Sequence, residues 1–189
     1  MTPAHRKVWL VSAVLLAATA LALHFMGRST WCACASYVPW SWEVFSRHNS
    51  QHLIDPYTPT HVLHGVIFYF FLWLVARKRL SLDARFLTAV TLESAWELLE
   101  NSPMIIERYR KATISLDYYG DSVINSVSDI VACAAGFLLV SKLPVRASIA
   151  LFVGVEIALA LLIRDNLTLN VLMLLWPLAA VRRWQSGGS

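Results

Sequence analysis

Apolar residues in this chain come in long blocks, and polar residues inside those blocks recur at helical spacing. Six blocks are long enough, or nearly so, to cross a bilayer: 8–26, 61–76, 84–101, 122–140, 145–163 and 167–181. A spanning helix needs about 20 largely apolar residues, with about 17 as the practical minimum. The second and sixth blocks are therefore short, which is admissible where helix ends sit in protein rather than lipid. The pattern predicts an all-α polytopic membrane protein, with about six transmembrane helices in one bundle. It divides into a first helix (1–26), an outer loop (27–60), a five-helix core (61–181) and a cytoplasmic tail (182–189).

Composition agrees: of 189 residues, 57% are hydrophobic and only 15% charged, and mean hydropathy is +0.55. That balance excludes an ordinary soluble domain. No fixed-period repeat is visible, and the only low-complexity stretch is at 186–189. The first block follows Arg6 and Lys7 and precedes Ala33-Cys34-Ala35, as a cleavable signal would. Its 19 apolar-rich residues exceed a signal core of about 7–15, so it reads as an uncleaved helix.

Basic residues give an orientation. With six spans and both termini cytoplasmic, ten Lys and Arg fall inside, including the Arg77-Lys78-Arg79 cluster, and six fall outside. The net charge of +4 is then a topology signal, and nucleic acid is not an expected partner. In this orientation His64, Glu97, Asn125 and Asn170 lie at one depth, about one to two turns below the outer surface at 1.5 Å per residue.

Those polar groups form three stripes. Glu93, Glu97 and Glu100 are spaced i, i+4, i+7 on one helical face. Three acids so placed repel, and a metal, Arg108 or Arg110, a histidine or shared protons must offset them. Asp121, Asn125, Ser128 and Asp129 form the second stripe; Asp121 also suits a helix start, whereas Asn125 and Asp129 lie too deep for that use. His61 and His64, one turn apart beside Gly65, form the third. With Glu93, Glu97 and Asp121 from neighbouring helices they compose a ligand set for a divalent metal such as zinc. The competing reading is a His–Glu–Asp network that shares protons.

Cys32-Ala33-Cys34 falls in the outer loop, open to a labile bridge, to a soft-metal contact or to no special role. Cys133 reads as a small core residue. Trp31, Trp40 and Trp42, with Trp176 and Trp184 toward the other face, fit interfacial belts. Asn166-Leu167-Thr168 matches a glycosylation sequon but abuts a span.

Three stretches carry a family likeness. The first is Asn49-Ser50-Gln51-His52 running on to Asp55, Tyr57-Thr58-Pro59 and His61 to Gly65. The second is Trp96-Glu97 with Glu100-Asn101, Ile105-Ile106 and Arg108-Tyr109-Arg110. The third runs from Ala112 through Asp117-Tyr118-Tyr119-Gly120-Asp121 to Asn125-Ser126. With the tail Arg164-Asp165-Asn166 to Asn170, they resemble an uncharacterised UPF/DUF family of small multi-pass inner-membrane proteins of alphaproteobacteria. That resemblance implies a bacterial inner-membrane location and brings no activity with it. A more distant likeness is to VanZ-like proteins, in which His61 or His64, Glu97, Asp117 or Asp121, and Asn125 would fill the matching roles.

These readings converge on an outer-facing polar pocket that binds or processes a lipid or lipid-linked head group. In an enzymatic version Glu97 or Asp129 is the general base and His64 shares its proton. Arg108 or Arg110 holds an anionic group, with His52, His61, Glu93, Glu100, Asn101, Asp117, Asp121, Asn125 and Asn170 lining the site. Two other readings stay open: a proton- or cation-coupled transporter, and an accessory subunit whose polar network only locks the bundle.

Overall fold

The computed structural model describes residues 3–187 except 35, 114 and 116, and is built from helices. In chain order they are α1 (Pro3–Phe25), α2 (Thr58–Ala76), α3 (Leu82–Glu100), α4 (Pro103–Ala112), α5 (Val123–Val140), α6 (Val145–Ile163), α7 (Leu167–Leu175) and α8 (Ala179–Gln185). Among the described residues the only strand-like pairing is a single bridge between Trp40 and Ile54. Capping residues set the starts. The side chains of Ser81, Ser102, Ser122 and Asn166 accept bonds from the backbone N–H of Ala84, Ile105, Asn125 and Leu169.

Four helices are long and apolar enough to cross a membrane: His5–Phe25, Thr58–Ala76, Val123–Val140 and Val145–Ile163. Leu10, Val14, Leu21, Leu74, Ile157 and Leu161 stand exposed along their outer faces, the arrangement a lipid-facing surface requires. Helix α3 matches them in length, at 19 residues, and its acids point inward: Glu93 and Glu97 are fully buried.

Helices α2 and α5 run parallel and meet backbone to backbone. A Cβ on Gly65 would lie 2.1 Å from the Cys133 carbonyl oxygen, and one on Gly136 would lie 2.1 Å from that of Val62. Only glycine permits this approach. Toward the end of the bundle away from the acids, Leu72, Phe86, Ala89, Val90, Ile130 and Phe137 fill the interior.

The sixth apolar block is not one helix. It breaks at Trp176–Leu178, because Pro177 has no N–H to continue the ladder, and leaves helices of nine and seven residues. The break is a reversal: Gln185 Nε2 donates to Asp165 Oδ1 at 3.0 Å, and Arg164 Nη1 to the Trp184 carbonyl at 3.4 Å. Residue 185 therefore lies at the end of the bundle where α7 begins. His5 lies at the opposite end, 3.1 Å from Asp83 at the start of α3. Five helices run lengthwise, and the expectation of six spans with both termini on one side does not hold. Moving Arg182 and Arg183 across turns ten basic residues against six into eight against eight.

Candidate functional site

The acid-bearing end of the bundle gathers α2, α3 and α5 around one imidazole. His61 Nδ1 lies 2.7 Å from Glu93 Oε1 and 3.5 Å from Glu97 Oε1, and its Nε2 lies 3.8 Å from Asp129 Oδ2. His64 Nδ1 is 2.9 and 3.0 Å from the two oxygens of Glu93. Glu93 is thus well satisfied. Glu97 is not: neither of its oxygens has a hydrogen-bond partner among the described groups, although the residue is fully buried. Asp129 Oδ1 and Asn125 Oδ1 share that condition.

Above this tier sits a second. Tyr109 Oη donates to Glu100 Oε1 at 2.7 Å and lies 3.0 Å from Asn170 Oδ1 on α7. Asp121 accepts from Tyr118 Oη at 2.9 Å and from Asn101 Nδ2 at 2.9 Å, and returns its own N–H to Asn101 Oδ1 at 2.7 Å. Burial pushes the Asp121 carboxyl up to about 6, against the pull of those two donors. Beside it, Tyr57 Oη donates to Asp165 Oδ2 at 3.2 Å, and burial likewise raises Asp165 to about 6.

Charge decides what this arrangement can hold. Five carboxylates (Glu93, Glu97, Glu100, Asp121 and Asp129) share the site with two histidines, and among the described residues none of the five pairs with lysine or arginine. Full ionisation would leave at least three uncompensated charges in a dry interior, a cost that protons or a cation must remove. Three overlapping donor sets lie within metal-binding reach: His61, His64 and Glu93; His61, Glu97 and Asp129; Glu97, Glu100 and Asp121. Imidazole with carboxylate suits zinc and its first-row neighbours. The orphaned Glu97 oxygens, common to two sets, are what a cation would satisfy. The adjoining cavity, edged by Tyr57, His64, Trp96 and Asn170, measures about 60 Å³.

Of the residues expected at the site, His61, His64, Glu93, Glu97, Glu100, Asn101, Asp121, Asp129 and Asn170 converge. Asn125 points the other way, donating to the His52 carbonyl at 2.8 Å. His52 packs against His48 outside the pocket, and Asp117 is exposed beside a separate surface cavity. Arg108 and Arg110 are engaged by the carbonyls of Leu174 and Tyr118. Glu156 accepts the N–H groups of Leu167 and Thr168 at 3.0 and 3.1 Å and caps α7. Tyr57, Tyr109, Tyr118 and Asp165 belong to the site without having been singled out. Their one sequence signal is position, since each lies in a stretch that carries the family likeness.

An all-helical protein with four helices long and apolar enough to cross a membrane and a buried His/Glu/Asp cluster at one end is the class that fold and site define. Residues 23–187 match a family described as "Protein of unknown function (DUF2585)", and the chain belongs to it. Relatives called UPF0314 proteins cover nearly the whole chain. That of Paracoccus denitrificans is 56% identical over 94% of this chain and 91% of its own length. That of Sinorhizobium fredii is 50% identical over 95% and 91%, and that of Brucella anthropi 46% identical over 94% and 90%. No solved structure matches. Neither the matched family nor these relatives bear a VanZ-like description, so that likeness adds nothing to the functional reading.

Proposed function

We propose that the protein is a bacterial inner-membrane protein whose acid-bearing end faces outward and binds or processes the polar head of an amphipathic envelope molecule. Glu97 is the observation that carries this reading: a carboxylate fully buried, without a hydrogen bond, and in contact with His61, which itself lines the cavity. A structural network has no use for an unsatisfied acid, whereas a general base does. In the site Glu97 takes a proton from a reacting group or water, and His61, in reach of both Glu97 and Asp129, passes it on. Glu93 orients His61 and His64. With Arg108 and Arg110 engaged elsewhere, a divalent cation such as zinc, held by His61, His64 and Glu93 or by Glu97 and Asp121 with Glu100, would supply the positive charge for an anionic head group. The remainder of the molecule, beyond its polar head, rests between Trp96 and α7, against lipid.

A carrier fits less well. Below Glu93 and Asp129 the interior is closed by Phe86, Ala89, Val90, Ile130 and Phe137, each nearly or fully buried, and the next buried charged group, Arg85, lies about two turns from Glu93 on α3. The outward orientation is supported by the Arg77-Lys78-Arg79 cluster at the far end and by the Cys32–Cys34 bridge at the acid-bearing end.

The test is mass spectrometry of lipids that co-purify with wild type, Glu97→Gln and Leu98→Gln in mild detergent. A molecule enriched over bulk lipid in wild type and Leu98→Gln, and depleted in Glu97→Gln, is the expected result. The same bulk lipids on all three proteins would overturn the proposal and favour an accessory role.

A further inference from the structure

The loop between α1 and α2 carries a second cluster that the pocket does not use. Cys32 and Cys34 come from one turn, and His48 and His52 from a stretch 14 residues further on. All four offer a donor atom within 4.8 Å of the others. His48 Nδ1 faces His52 Nε2 at 3.2 Å, Cys32 Sγ lies 4.0 Å from His48 Nδ1, and Cys34 Sγ lies 3.9 Å from His52 Nε2. In the structure the two sulfurs are joined.

We propose that, with its cysteines reduced, this cluster is a tetrahedral zinc site made of Cys32, Cys34, His48 and His52. The donor set comes first: two thiolates and two imidazoles select zinc over the hard cations that carboxylates take. Distances come next. Tetrahedral zinc with its usual bond lengths separates two nitrogens by about 3.3 Å and a nitrogen from a sulfur by about 3.6 Å. The observed 3.2, 3.9 and 4.0 Å are close to those spacings, and on reduction the two joined sulfurs have only to part to about 3.8 Å to complete the tetrahedron.

The surroundings complete the case. His52 Nδ1 lies 2.6 Å from the Val38 carbonyl, which can only accept. The proton must therefore sit on Nδ1, and the lone pair of Nε2 points at the cluster, as a metal-ligating histidine held by an outer partner presents it. The backbone N–H of Cys34 donates to Cys32 Sγ at 3.2 Å, a contact that favours the thiolate. Cys32 and His52 are buried, while Cys34 and His48 are half-buried and leave a way in.

Bridge and metal exclude each other. Opening the bridge takes two electrons and two protons from a dithiol, which leaves as its own disulfide. The two thiols then give up two protons as Zn²⁺ binds, and His48 carries its remaining proton on Nε2. The consequence reaches the pocket, because the same segment is its roof. The His52 carbonyl accepts from Asn125 Nδ2, Ser122 N–H donates to the Ser50 carbonyl at 2.9 Å, and Asn49 and Ser50 line the cavity. Zinc at this site would fix that roof; the site stands whether or not the pocket acts on lipid.

The experiment uses the full chain in detergent, reduced with a phosphine, exposed to Zn²⁺ without oxygen and freed of loose metal. Elemental analysis and X-ray absorption are expected to show one zinc gained on reduction, with both sulfur and nitrogen neighbours. His48→Ala should weaken that zinc by more than the roughly 10–100-fold that loss of an outer-shell partner costs. His61→Gln should leave it in place, and so should Cys133→Ser, which removes the one thiol beside the membrane cluster and leaves the loop cysteines as the only source of sulfur neighbours. A zinc shell without sulfur in the reduced wild-type protein, or equal uptake before and after reduction, would overturn the proposal even if no variant folds.

Discussion

Glu93 and Glu97 are one helical turn apart and equally buried, yet only Glu93 holds hydrogen bonds. Glu93→Gln should therefore cost about 1–3 kcal/mol, the usual penalty for breaking a buried network. Glu97→Gln removes a charge that bonds nothing and should change stability by under about 0.5 kcal/mol, or raise it. Thermal unfolding in detergent reads both, and the reverse order would sink the assignment of Glu97 as the poised acid. Asp165 gives a pH signature. Burial raises its folded pKa to about 6, against about 3.9 unfolded, so the native state binds more protons between those values. Its contribution to stability is therefore greatest below about pH 4, falls as pH rises to about 6, and is flat beyond. Asp165→Asn should remove that slope, and parallel curves for the two proteins would refute it. The acid stripes were legible in sequence because a carboxylate inside an apolar block has few bland explanations. Tyr109, Tyr118 and His48 were not, since an aromatic or a loop histidine has many, and only folding brings them to their partners.

Helix ends were legible where a polar cap or a basic cluster bounds an apolar run, and five of the six blocks became helices with boundaries shifted by a few residues. The sixth failed because Pro177 sits in an apolar stretch that hydropathy alone reads straight through. Helix α4 was missed for the opposite reason. It buries Ile106, Tyr109 and Ala112 at a three-residue spacing while Glu107, Arg110 and Lys111 face out, so its mean hydropathy is low. The glycines of the α2–α5 pair separate contact from propensity. Gly65→Ala and Gly136→Ala place a methyl against backbone and should each destabilise by about 1–3 kcal/mol or more. Gly154→Ala on α6 meets nothing within 4 Å and should be neutral, or stabilising by up to about 1 kcal/mol. Equal melting temperatures for all three would contradict the close approach.

At the scale of the molecule, the α7–α8 reversal sets how many times the chain crosses. In a background without native cysteines, Ser41→Cys and Ser186→Cys should react with an impermeant thiol reagent from the same side of intact membranes, and Ser81→Cys only from the other. Ser81→Cys and Ser186→Cys labelled together would restore the six-span arrangement. With basic residues balanced between the two ends, charge alone no longer orients the bundle, and this labelling does.

Where Gly65 meets Cys133 and Gly136 meets Val62, no side chains lie between the backbones to act as bearings, so α2 and α5 cannot slide or tilt past each other. His61 and Asp129, one turn away, are mounted on a stator. A pocket that must enlarge has to do so by displacing the other wall, the Trp96 edge of α3 and the Asn170 edge of α7. Opening is thus one-sided.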